Sequence, residues 1–205
     1  MASLGAILIS GAAEGPTDEA VLKRLLAEAG AVPGAVYGKN GKQRLKRDLR
    51  GYNHAARYAP WFVLVDLDQD APCPSALREE WLPEPAPRMC FRIAVREVEA
   101  WLLADRERIS AFLGVGTVKV PRDPETLEDP KRTLVDLARQ SRRRDIREDM
   151  VPRPGSGRSV GPAYTSRMIE FAVDAGRWRP EVAAVNSRSL GRCRNALKRL
   201  IHGGS

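Results

Sequence analysis

WFVLVDLDQD, residues 61–70, opens with an unbroken apolar run and closes on three carboxylates, Asp66, Asp68 and Asp70. An apolar run without polar alternation predicts a strand buried on both faces, as at the centre of a parallel sheet. In such sheets ligands bind outside the carboxyl ends of the strands, and this strand ends in acids.

Working outward, residues 6–11 (AILISG) predict a short buried strand, and Gly15-Pro16 then opens a helix, proline being tolerated in the first turn where its missing N–H costs nothing. Val21, Leu22, Leu25, Leu26 and Ala29 recur at helical spacing to about Glu28, and Gly30 is placed to stop the helix. Residues 31–37 (AVPGAVY) predict a weaker strand and 38–58 a basic helix or loop. After a proline-rich break over 70–88, MCFRIAV (89–95) predicts a further strand and REVEAWLLAD (96–105) a helix. Strand and helix in alternation predict a parallel sheet with right-handed crossovers. From about residue 106 the pattern turns to helices near 131–140, 165–175 and 189–201, with the basic run SRRRDIR (141–147) and a loop VPRPGSGRSVGP (151–162) between them. The expected organisation is an α/β domain over 1–105 and a mostly helical extension over 106–205.

Asp66 and Asp68 lie two apart at a strand end, where alternation would send both side chains the same way. Two carboxylates ~4 Å apart repel by roughly 4 kcal/mol at an effective dielectric of about 20. A cation is expected to offset that cost, and hard oxygen ligands suit Mg²⁺ or Mn²⁺. A solvated acidic turn is the plain alternative. Other readings of the acidic run fare worse. An EF-hand loop from Asp66 would need glycine at 71 and glutamate at 77, where the chain has Ala71 and Leu77. A haloacid-dehalogenase-type phosphatase would need Thr or Val where Asp70 stands, and GAVYGKNGKQ lacks the Walker A pattern. A nucleotide-dependent transferase using DLD stays open but leaves Glu14 without a role.

The 205-residue chain is 43% hydrophobic and 29% charged, the balance of a folded globular protein. Its net charge of +8 favours a polyanionic partner, although an Arg-rich composition also arises from GC-rich coding. Cys73, Cys90 and Cys193 form no CxxC pair or Cys/His cluster and read as reduced thiols of a cytoplasmic protein. MASLGAILIS lacks a basic leader region, and no apolar run approaches the ~20 residues that cross a bilayer. No membrane association is expected.

SGAAEGPTDEAVLKRLL followed by VLVDLDQD resembles a Toprim domain, the metal-binding module of topoisomerases, primases and OLD-family nucleases. The resemblance implies a Toprim-like, Rossmann-like fold with a central mainly parallel sheet flanked by helices. It implies Glu14 as general acid or base, with Asp66 and Asp68 holding Mg²⁺ or Mn²⁺. The ExxxD spacing of the OLD-type version falls on Glu14 and Asp18 and implies Asp18 as a second ligand, and the acid expected after the next strand falls on Glu97 or Glu99. EGPTDE, DLDQD, EVEAWLLAD and a C-terminal SLGR are together similar to an uncharacterised bacterial Toprim-like family, domain of unknown function 4276, of a kind associated with defence against phages. The first 105 or so residues carry the resemblance well and the rest loosely.

Glu14, Asp66 and Asp68 would suffice for one ion, while Asp18, Asp70, Glu97 and Glu99 are candidates for a second. For Glu97 and Glu99 the structural alternative is that of acids favoured in the first turn of a helix. Trp101, Val98 and Leu102 read as core, and Asp105 as a helix end outside the site. His54 and His202 read as surface residues. Lys39, Lys42, Arg44, Lys46 and Arg47 include neighbours at helical spacing suited to phosphates, as does the run from Arg142 to Arg147, although a solvated charged face is the commoner use of such runs. The basic residue that an OLD-type site takes from the C-terminal region would fall on Arg167 or Arg192. The expected function is a divalent-metal-dependent phosphodiesterase, a nuclease acting on DNA or RNA. The alternative is a non-catalytic protein that binds nucleic acid or a larger assembly, with a protein partner or a second copy of the chain.

Overall fold

The computed structural model describes residues 7–203, so the opening MASLGA lies outside the described residues. Strand β1 (Leu8–Ala13) leads to helix α1 (Pro16–Glu28), then β2 (Val32–Gly38), α2 (Lys42–Ala55), β3 (Trp61–Asp66), α3 (Pro74–Trp81) and β4 (Met89–Ala94). The strands form one four-stranded sheet in the order β2-β1-β3-β4, and every pairing is parallel. The five apolar residues of β3 are buried, as an unbroken apolar run requires, and so is Asp66 at its end. Pro16 occupies the first turn of α1, and Gly30, at φ 85°, follows its end.

Ala12, Val63, Val65, Phe91 and Ile93 build a buried core with Leu45 and Leu49 of α2 and Leu77 of α3. Gly11 serves α1: a Cβ there would approach Leu22 Cδ2 to 2.9 Å and the Phe62 carbonyl oxygen to 3.2 Å. The chain leaves β1 for β2 on one side and then crosses to β3 on the other. The gap between the ends of β1 and β3 is therefore the topological switch point, where open α/β sheets place their ligands.

The proline-rich break contains α3, which begins on Pro74, and β3 stops at Asp66. Asp68 lies beyond it in a turn with φ 48°, so strand alternation does not govern its direction.

The helical region comprises α4 (Val98–Leu103), α5 (Arg106–Leu113), α6 (Pro130–Arg139), α7 (Arg144–Met150), α8 (Tyr164–Val173), α9 (Pro180–Asn186) and α10 (Arg188–His202). The chain packs as two compact units: one holds the sheet up to Ala94 together with α10 from Arg192 on, the other spans Val95–Gly191. The chain thus leaves the first unit at the end of β4, and α4, read from sequence as part of the N-terminal domain, packs with α6 and α9 in the second. Within the second unit Trp101 and Trp178 are fully buried, and Trp101 Nε1 donates to Ser189 Oγ at 2.7 Å. Asp105 caps α5 and accepts from the Arg179 guanidinium at 2.7 and 3.0 Å, a structural role outside the site. Within the first unit Arg194 of α10 pairs with Glu28 of α1 at 2.6 Å. Cys73, Cys90 and Cys193 are free thiols. No helix among the described residues is long and apolar enough to cross a membrane.

Candidate functional site at the strand ends

Glu14 is the first residue after β1, and its Oε1 accepts the backbone N–H of Asp66, the last residue of β3, at 2.8 Å. The parallel register that sets Ala12 beside Val63 brings the two strand ends level. The loop after β2 is fixed to the same place: Lys39 N–H donates to the Ala13 carbonyl at 2.8 Å and Gly41 N–H to the Glu14 carbonyl at 3.2 Å. Gly38 permits this approach, having φ 87° and a position where a Cβ would lie 2.3 Å from the Ala13 carbonyl oxygen. Helix α2 accordingly starts beside the acids, and its first residue, Lys42, reaches Asp68 Oδ2 at 2.8 Å and Asp70 Oδ2 at 2.7 Å.

Burial raises the Glu14 carboxyl from 4.5 to about 7, with Asp68 and Asp70 adding to the rise and the Asp66 N–H and Lys42 opposing it. The carboxyl therefore exchanges its proton near neutral pH, the range in which a general acid or base is most effective. Burial works against the charge on Lys42, but its hydrogen bonds to Asp68 and Asp70 and the field of Glu14 outweigh that, and its pKa is raised.

Lys42, read from sequence as a phosphate contact, is a nearly buried counter-charge in the cluster, its side chain 13% exposed. It supplies the positive charge that the paired carboxylates demand. Glu14, Asp66, Asp68 and Asp70 offer the hard oxygen donors that Mg²⁺ or Mn²⁺ takes, so the donor chemistry fits. In the arrangement described, however, Asp68 and Asp70 are engaged by Lys42, and among the described residues no group of three or more His, Cys, Asp or Glu is set to hold a metal ion.

Asp18 is buried in the first turn of α1, beside Gly15, where a Cβ would lie 3.1 Å from its Oδ2. Glu97 and Glu99 belong to the second unit. Glu97 accepts from the backbone N–H of Lys131 at 3.1 Å and from its Nζ at 2.8 Å. Glu99, buried, accepts from Tyr164 Oη at 3.3 Å and lies 3.7 Å from Lys131 Nζ. Burial foremost, then the field of Glu99, holds the Tyr164 phenol well above its ordinary value. Lys131 and Tyr164 were invisible as partners in sequence, since only the folding of α6 and α8 onto α4 brings them there.

The expected phosphate-binding cations divide. Lys39 pairs with Glu19 at 3.2 Å, Arg44 with Asp48 at 2.6 Å, and Lys46 with Glu80 at 2.6 Å while lying over the Trp81 ring. Arg47 is 67% exposed, 3.8 Å from Asp48, and Arg192 is exposed. Arg167 is held by three acids, Asp145, Asp149 and Glu170.

A family model described as a domain of unknown function (DUF4276) matches residues 13–148. No curated protein and no solved structure matches the chain.

Proposed function

The chain belongs to the DUF4276 family, whose description names no activity, and from its own residues we propose a divalent-metal-dependent phosphodiesterase of Toprim type, a nuclease acting on nucleic acid. The observation that carries this reading is Glu14, poised near neutrality, bonded to the end of β3 at the switch point of a parallel sheet. Asp66 and Asp68 would hold the ion, with Asp70 beside them. When bound, Mg²⁺ or Mn²⁺ supplies an activated water and charge stabilisation at a phosphodiester.

The chain's own residues do the rest. Glu14 takes or gives a proton through Oε2, because Oε1 is held by the Asp66 N–H. That hydrogen bond fixes the carboxyl plane and ties it to the strand carrying Asp66. The exposed cations of α2, Arg47 and Arg50 among them, draw a polyanion towards the first unit.

Purified protein incubated with Mn²⁺ and plasmid, single strands or tRNA is expected to cut at least one of them, and Asp66→Ala is expected to abolish the cutting. Equal cutting by that variant would end the proposal. A second reading, a non-catalytic nucleic-acid-binding protein, draws support from the engagement of Asp68 and Asp70 by Lys42. Salt-sensitive binding that neither a chelator nor Asp66→Ala alters would favour it.

A further inference from the structure

We propose that Lys42 is a cation the site carries for itself, and that an incoming divalent ion must lift its ammonium off Asp68 and Asp70. This rests on the metal-dependent reading above and specifies how that site is controlled. The lysine makes two ion pairs, at 2.8 and 2.7 Å, to carboxylates that are themselves 42% and 46% exposed. A doubly charged ion reaching these solvent-facing oxygens attracts them more strongly than a single ammonium does, so the two occupants compete.

The backbone around Lys42 is held by hydrogen bonds that do not involve its side chain. Lys39 and Gly41 are hydrogen-bonded to Ala13 and Glu14, and Lys42 opens α2, so its Cα stays beside the cluster whatever its side chain does. A four-carbon stem with a compact, rotatable ammonium can swing away without moving that backbone. Once released, the ammonium stays within a side chain's length of the ion and is free to meet a substrate phosphate as a point charge. Lys42 is thus a positioning residue before ion binding and a phosphate contact after it, which joins its observed place in the cluster to the role its basic segment predicts.

Titration calorimetry of Mn²⁺ into the full chain tests the competition. Lys42→Met is expected to bind Mn²⁺ about tenfold more tightly than the unaltered protein, because the ion no longer has a competitor. Unchanged or weaker binding by the variant, with clear binding by the unaltered protein, overturns the displacement alone. Binding by neither protein overturns the metal-dependent reading and the displacement with it. A second measurement needs no variant: acetylation of Lys42 by acetic anhydride, followed by mass spectrometry, is expected to quicken several-fold when Mn²⁺ is added. A rate that Mn²⁺ leaves unchanged, under conditions where calorimetry records binding, overturns the displacement.

Discussion

Glu14 makes the protein's stability depend on pH in a direction opposite to that of an ordinary surface carboxylate. Its folded pKa of about 7 exceeds the ordinary 4.5, so the folded state holds a proton that the unfolded chain releases as the pH rises between those values. The favourable contribution is complete below about pH 4.5 and is lost as the pH climbs through about 7. Glu14→Gln removes this term. Urea titrations of both proteins in chelator, at pH 5 and pH 8, are expected to show the gap between them shifting in the variant's favour by about 2 kcal/mol at the higher pH, a figure reduced for partial solvation. A gap that stays constant would place the titration elsewhere. Glu14 and Asp66 were legible from sequence because each directly follows or ends an apolar strand, and parallel register does the rest. Lys42 was not, since nothing in a basic run marks one of its members as turned inward; only the start of α2 beside the turn after β3 singles it out.

Among elements, the strands declared themselves through apolar runs, and α1 through its proline start and glycine stop. α3 hid behind its prolines. Pro74 sits in its first turn, where proline is welcome, yet Pro72 and Pro74 together with those that follow read as a break. Strand alternation would send Asp68 to the face of Asp66, but a left-handed residue after a strand obeys no such rule. Lys39, Asp68 and Arg96 are the positive-φ residues other than glycine among those described, and each follows closely on a strand of the sheet. Strain of this kind gathers where backbone must be aimed at a ligand. Gly38 makes the strictest demand of any turn here, combining φ 87° with the close Ala13 carbonyl. Gly38→Ala is expected to lower stability by roughly 2–4 kcal/mol, measured by denaturant unfolding, and to raise the exposure of Lys42 to acylation, because the loop that starts α2 shifts. A variant as stable as the parent would show that the loop yields cheaply.

At the scale of the whole molecule, the cations behind the +8 charge divide into those enclosed by acids and those left largely to solvent. Arg167 belongs to the first kind and Arg47 to the second. Arg47→Glu together with Arg50→Glu is expected to weaken nucleic-acid binding and reduce the slope of log affinity against log salt by about 2, measured by fluorescence anisotropy, while the melting temperature stays close to the parent's. An unchanged slope would remove α2 from the binding face. The α/β class and the helical region were readable from the order of elements, whereas the division at Ala94 was not, because it depends on which distant helices α4 meets.

The sheet's unit is also discontinuous in the chain, since it takes in α10 from Arg192 onward, where Arg194 reaches Glu28. On the ribosome, residues 95–191 must therefore be synthesised before that unit has all its parts. β1 to β4 wait, unfinished, through about half of translation, and a nascent chain stalled before Arg192 would expose to chaperones and proteases a surface that the released protein keeps covered.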